Sequence, residues 1–243
     1  MMPDLLLALN QQFQQGCYIA QQAKMAEQMG NGVGASQLYD QASGVIANAV
    51  GMANQYGVPI FDNVFFSLAF CHFNAARLKA AMGLPQAVPQ HLNTALQAIN
   101  QALAINPNFF AYHSAAGLIL LAMSNVPAAV QAFQRAVQLN PADAWSQWML
   151  SSLFTVQGNT VAANQYYAAA ASAQPGLPQP QQFVPQFQDA PSHSGGQQQR
   201  VKHDWFGLII EALKLGNSVM GMMQQGGQSQ QGWGQTDFNW SGC

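Results

Sequence analysis

The sequence predicts an all-α protein made of stacked antiparallel helix pairs, and three regularities support this prediction. Prolines at positions 107, 141 and 175 are 34 residues apart. A pattern of alanine, a large apolar residue and alanine, at spacings of four and three, recurs with the same period. It occupies Ala95, Ile99 and Ala102, then Ala129, Phe133 and Ala136, then Ala163, Tyr167 and Ala170. An apolar helical segment precedes the second and third copies. A fixed period of this length is typical of stacked helical hairpins.

Each repeat contains the elements of one hairpin. Apolar segments at 109–123 and 143–157 form the first helices, and the links SNVP and QGNT favour a reversal of the chain. In the second helix, small residues three and four positions from a large one share a face and let a neighbouring helix approach closely. Proline then ends that helix. Residues 90–175 are expected to form four helices in two pairs, with no strand.

The pattern is weaker towards the N-terminus. Ala35, Tyr39 and Ala42 repeat the same spacing, and Gly83 lies 34 residues before Gly117. The helices around 35–55 and 62–82 are expected to be longer than those of the clear repeats. Two interpretations of residues 1–82 are therefore open, namely two further degenerate repeats or an irregular helical bundle.

These residues resemble the tetratricopeptide repeat family, whose 34-residue helix pairs carry the pattern W-x2-L-G-x2-Y…A-x3-F…P. The matching residues are Gly117, Ala129, Phe133, Ala136 and Pro141. In the next copy Ser151 replaces the glycine and Tyr167 the phenylalanine, while His113 and Gln147 occupy the tryptophan position. The resemblance spans roughly 17–175 and is strongest over 90–175. It implies a right-handed helical-hairpin solenoid with a concave groove.

Four regions follow from this interpretation. Residues 1–175 form the helical array, 176–201 a linker rich in Pro, Gln and Gly, 202–223 an apolar C-terminal helix, and 224–243 a low-complexity tail of Gly, Gln and isolated aromatic residues. The fold is therefore an all-α solenoid with a tethered C-terminal helix.

Composition narrows the function classes. Charged residues make up 7% of the chain, the net charge is −2, and glutamine and asparagine together number 51. The absence of a basic stripe argues against nucleic-acid binding, and low net charge removes a barrier to self-association. No stretch predicts a transmembrane segment or a signal peptide, so the expected location is cytoplasmic by default, or cell-surface or extracellular if the protein is polymeric.

The sequence predicts no enzyme, no metal site and no cofactor. It contains none of the patterns HExxH, P-loop, GxSxG or GxGxxG. Its three cysteines, Cys17, Cys71 and Cys243, are too far apart to indicate a disulfide framework or a zinc site. His72 is next to Cys71, but adjacent helical residues point about 100° apart. A histidine with satisfied hydrogen bonds in the core is expected there.

The family resemblance implies that the first helix of each pair lines the concave groove. The groove residues transferred in this way are uncharged, which suits an apolar helix rather than an anionic peptide terminus. The principal ones are Leu118, Leu121, Trp145, Trp148, Met149 and Ser152. The alternative is that both tryptophans belong to the core.

The C-terminal helix has a strong apolar face and is expected to dock on a protein surface. Its docking residues are Trp205, Leu208, Ile209, Leu213, Val219 and Met220. The linker allows docking on the chain's own array or on a neighbouring copy.

Three functional hypotheses remain. The first is a self-associating structural subunit of an open polymer or filament, with the protein itself as partner. The second is an adaptor that binds a helix or peptide of another protein in the groove. The third is a regulatory domain of an enzyme. The uncharged composition favours the first, because adaptors use charge to select partners.

Overall fold

The computed structural model describes residues 2–177, 179 and 180, and within this part of the chain the secondary structure is helical, without a strand. Residues 178 and 181–243 lie outside the described part, which includes most of the predicted linker and all of the predicted C-terminal helix and tail. The helices are α1 (Met2–Gln28), α2 (Gly32–Gln55), α3 (Asp62–Ala81), α4 (Val88–Ile105), α5 (Phe110–Ala122), α6 (Val126–Leu139), α7 (Ala144–Val156) and α8 (Thr160–Ala173). A short 3₁₀ turn at Pro85–Ala87 precedes α4.

The eight helices form four consecutive hairpins, α1–α2, α3–α4, α5–α6 and α7–α8, and each hairpin packs on the next. The alternative of an irregular bundle for residues 1–82 is wrong, because α1, α2 and α3 continue the stack. The prediction of four helices in 90–175 omitted α4, which belongs to the preceding hairpin and is a fifth helix in this range. The first four helices have 27, 24, 20 and 18 residues, against 13 or 14 in the last four.

The turns inside the four hairpins have the same backbone geometry. After the first helix, a residue in the left-handed region reverses the chain. These residues are Gly30, Gly83, Ser124 and Gly158, with φ between 62° and 79°. The N–H of the next residue then bonds to a carbonyl five residues back, as in Asn125 to Leu120 at 2.9 Å. In three hairpins that next residue is an asparagine whose side chain caps the second helix.

Prolines at a 34-residue spacing end the second helices, as predicted. The residue before each proline is extended, because a following proline disfavours helical backbone; these residues are Asn106, Asn140 and Gln174. The carbonyl of Pro107 accepts a hydrogen bond from His113 Nε2 at 2.8 Å, and the carbonyl of Pro141 accepts one from Gln147 Nε2 at 2.5 Å. His113 and Gln147, which occupy the tryptophan position of the family pattern, therefore each bind the loop that connects their hairpin to the preceding one.

The repeated alanines and their central residues lie between the helices. In α2, α4 and α6 all three positions of the pattern are buried, whereas in α8 the central Tyr167 is half-buried. Gly117 in the middle of α5 lies directly against the ring of Phe133. The approach is so close that a Cβ at this position would be only 2.7 Å from the ring. The shared register of Gly83 and Gly117 is coincidental, since Gly83 is a turn residue with positive φ.

None of the described helices is both long and apolar enough to span a bilayer.

Candidate functional site

The first helices α3, α5 and α7 are buried around most of their circumference. α5 has nine buried residues of 13 and α7 has nine of 13. Their sequences carry apolar or small residues on most sides, and such a helix is covered on most sides. By contrast, α4 and α6 bury one face, which carries the repeated alanine pattern, and expose the other.

The six predicted groove residues lie close together on α5 and α7, but five of them have almost no exposed surface. Their exposed fractions are 1% for Leu118, 0% for Leu121, 2% for Trp148, 0% for Met149 and 1% for Ser152. Trp145 is half-buried and stacks on Trp148, with ring centroids 6.1 Å apart. The expectation that these residues line an accessible groove therefore does not fit their burial, since α5 and α7 are covered on their inner faces too. Their contact with a partner stays a prediction.

The predicted docking helix at 202–223 lies outside the described residues. The same holds for its six docking residues, Trp205, Leu208, Ile209, Leu213, Val219 and Met220. Whether this segment docks on its own chain or on a neighbour therefore stays a prediction.

A buried polar network joins α5 to α7 and was not predicted. Ser114 Oγ donates to Asp143 Oδ2 at 2.9 Å and lies 2.6 Å from Ser146 Oγ, while the Ser146 N–H donates to Asp143 Oδ1. Asp143 caps the N-terminus of α7, and only 6% of it is exposed. Burial raises the pKa of Asp143, and its hydrogen bonds to Ser146 and Ser114 partly offset this effect. The network connects the last two hairpins.

A second cluster joins α2, α3 and α4 through titratable side chains. His72 Nδ1 lies 3.1 Å from His91 Nδ1, and His91 Nε2 lies 3.6 Å from Asp40 Oδ1. The other carboxylate oxygen, Asp40 Oδ2, accepts a hydrogen bond from Lys79 at 2.5 Å, and Lys79 also donates to Ser36 Oγ at 3.2 Å. The described residues offer Asp40 Oδ1 no hydrogen bond, although this atom is buried.

His72 is therefore paired with His91 rather than with its neighbour Cys71. Burial, with a further contribution from His91, lowers the pKa of His72 to about 4, and burial also lowers the pKa of His91. Cys71 is a free buried thiol, and burial raises its pKa to about 12. Cys17 is buried, and Cys243 lies outside the described residues. Within the described ranges, no group of three or more His, Cys, Asp or Glu side chains is arranged to hold a metal ion.

An apolar stripe on α1 has large exposed surface, and sequence reasoning missed it. We define the α1 stripe as four residues that follow one another at helical spacing along the outer side of this helix. Their exposed fractions are 57% for Leu7, 61% for Tyr18, 50% for Met25 and 78% for Met29. Met29 lies just after the helix, but its N–H still bonds to the Met25 carbonyl at 3.1 Å. The sequence contains a signal for this stripe, because its four residues are separated by 11, 7 and 4 positions, and each of these spacings returns to nearly the same face of a helix.

The α1 stripe contains no charge and belongs to the first hairpin of the stack. At 1.5 Å per residue, Leu7 and Met29 are about 33 Å apart along the axis. Gln11 and Gln14 lie between Leu7 and Tyr18 and are exposed beside the stripe. An apolar cavity of about 140 Å³ lies on another side of the same helix, between α1, the end of α2 and the start of α3.

Comparison with known proteins finds a matching family model over part of the chain. The tetratricopeptide repeat family model matches residues 90–144 and, in a second register, 114–178. These ranges contain α5 to α8 and most of α4. No curated protein sequence matches the chain.

Solved structures with a similar fold have little sequence in common with this chain. Two crystal structures of MamA are each 13% identical, with TM-scores of 0.37 and 0.35; they cover 63% and 68% of this chain and 94% and 93% of their own. YrrB, described as a TPR protein with an unusual peptide-binding site, is 13% identical with a TM-score of 0.45, covering 74% of this chain and 87% of its own. These similarities concern the fold alone.

Proposed function

We propose that this tetratricopeptide-like repeat protein, which acts through protein–protein contacts, is a non-catalytic structural subunit that associates with further copies of itself into an open polymer. The observation that carries the proposal is the α1 stripe. Four large apolar side chains in one uncharged line are an unusual exposed feature, and such patches commonly mark contact surfaces.

The size of the stripe suits a protein contact. With about 200 Å² for each large side chain, the exposed fractions amount to roughly 500 Å². A stable interface buries about 800 Å² on each partner, and the neighbouring glutamines extend the surface towards that value. Glutamine side chains at the rim supply hydrogen bonds without the repulsion that like charges would bring.

Electrostatics favours a second copy as the partner. The whole chain has a net charge of −2, so two copies repel each other weakly. The stripe has no charged side chain with which to select a charged partner. A contact between two apolar, uncharged surfaces is driven by burial and is only weakly sensitive to salt.

The architecture favours an open assembly. The first and last described helices of the array are α1 and α8, and these two helices have different sequences. A contact between one end and the other is heterologous, and such a contact continues into a filament unless its rotation closes a ring. The predicted helix at 202–223 is a second proposed contact, to a neighbouring copy of the chain.

The test replaces stripe residues in the full chain. We expect the unmodified protein to form assemblies by light scattering and negative-stain electron microscopy, and Tyr18→Glu with Met29→Glu to be monomeric. Ile105→Glu is the matched control, because Ile105 is 50% exposed on α4 and lies outside the stripe. Deletion of 203–243 tests the second contact separately.

Two results would contradict the proposal. Assemblies of unchanged size from the Tyr18→Glu, Met29→Glu variant would exclude the stripe as an interface. A monomeric unmodified chain at high concentration would exclude self-association altogether, and the adaptor hypothesis would take its place.

A further inference from the structure

The His72–His91 pair has a geometry that restricts its protonation. Two imidazole nitrogens 3.1 Å apart form a hydrogen bond only if one carries a hydrogen and the other is bare. One Nδ1 atom of the pair therefore carries the hydrogen and the other is the bare acceptor, while His91 Nε2 lies 3.6 Å from Asp40 Oδ1, beyond hydrogen-bond distance. The pair is therefore compatible with two neutral rings.

Acidification changes this arrangement in two steps. One added proton is tolerated, because a protonated ring still donates to its neutral partner. A second proton places a hydrogen on both Nδ1 atoms, which then point at each other across 3.1 Å. The hydrogen bond is lost and is replaced by repulsion between two imidazolium groups.

The charged groups facing the pair make the second step unfavourable. α2 contributes Asp40, α3 contributes Lys79, and α4 contributes His91 itself. With both histidines protonated, three cations surround one carboxylate that Lys79 already neutralises. In a protein with few charged residues, little else is available nearby to compensate.

We propose that the His72–His91 pair is an acid-sensitive latch that holds α3 and α4 together while its rings are neutral and releases them on protonation. These two helices form the second hairpin, and Asp40 of α2, from the first hairpin, faces the pair. This inference does not depend on self-association.

The direction of the pH dependence follows from the pKa of each histidine. Both pKa values are lowered in the folded protein relative to the ordinary value of 6.5. The unfolded chain therefore binds more protons below this pH, and stability falls as the pH falls from 6.5 towards 4. Asp143 acts in the opposite direction, since its pKa is raised. Its contribution is the same in the unmodified protein and in histidine variants.

The expected change in stability with pH is large enough to measure. For His72 with a folded pKa of about 4, the unfolding equilibrium constant at pH 4.5 should increase roughly 50- to 100-fold relative to neutral pH. We expect urea unfolding of the full chain to show this increase, and His72→Gln with His91→Gln to remove most of it. His113→Gln is the control, because His113 bonds to the Pro107 carbonyl and lies outside the cluster.

The comparison uses the change with pH rather than the absolute stability, so a variant that is less stable at every pH remains informative. A second measurement is an NMR titration of the histidine ring protons in the folded protein, in which His72 should titrate well below 6.5. Amide exchange in α3 and α4 should accelerate near pH 4.5 beyond the intrinsic change. An unaltered pH slope in the double variant, or titration of His72 near 6.5, would overturn the proposal.

Discussion

Replacement of Gly117 by alanine tests the packing inside the third hairpin. A Cβ at this position would lie 2.7, 2.8 and 2.9 Å from three ring atoms of Phe133, and the ring is fully buried. Carbon atoms at ordinary contact are about 3.5–4.0 Å apart, so the ring would have to move by nearly 1 Å. The helices α5 and α6 would have to separate, or the ring would leave its preferred rotamer.

The expected magnitude combines two opposing effects. Overpacking a core costs about 1–3 kcal/mol. Replacing glycine by alanine inside a helix contributes about 1 kcal/mol in the opposite direction. We expect Gly117→Ala to lower the free energy of unfolding by up to about 2 kcal/mol, which corresponds to a decrease in Tm of up to roughly 8 °C for a chain of this size.

Thermal and urea unfolding followed by circular dichroism would measure this effect. Gly44→Ala is the matched control, because this glycine is also inside a helix but a Cβ there has no atom within 4 Å. It should stabilise the protein by about 0.5–1 kcal/mol. Combining Gly117→Ala with Phe133→Leu should abolish most of the penalty of the alanine. If Gly117→Ala stabilises the protein as Gly44→Ala does, the ring does not pack on this glycine.

Four further predictions concern single side chains and salt. Ser124→Gly should stabilise by about 0.5–1 kcal/mol, because Ser124 has a φ of 62° that glycine adopts without strain; an unchanged urea midpoint would contradict this. Phe133→Ala should cost about 3–5 kcal/mol, and Tyr167→Ala less, because this ring is only half-buried, even though its hydrogen bond to the Leu177 carbonyl is also lost; equal losses in calorimetry would be inconsistent with the difference in burial. Asp143→Ala should cost about 1–3 kcal/mol, since Ser114 loses its acceptor and α7 its cap, and a melting temperature equal to that of the unmodified protein would refute this role. Between low and high ionic strength, the fold and the assembly should change little because the chain has 16 charged residues, and dissociation in moderate salt on a sizing column would point to a charged interface.

The sequence by itself determined the hairpin units, because the signals for their turns and helix ends are local. Asn125 follows a left-handed residue and caps the next helix, and Pro141 forces Asn140 out of helical backbone. These effects act within a few residues, so the 34-residue period could be recognised without tertiary structure. The buried alanine pattern follows too, because the same spacing puts its members on one helix face in every copy.

The tertiary structure decided which faces are covered and which polar residues meet. Leu118 and Trp148 could be assigned to an inner helix from the repeat, but their burial depends on what packs against that helix. His72 and His91 are 19 residues apart, and no local rule brings two ring nitrogens on different helices to 3.1 Å. The exposure of the α1 stripe likewise depends on which side of α1 contacts α2. The periodicity of the sequence shows which residues share a helix face, whereas the burial of that face depends on which helices pack against it.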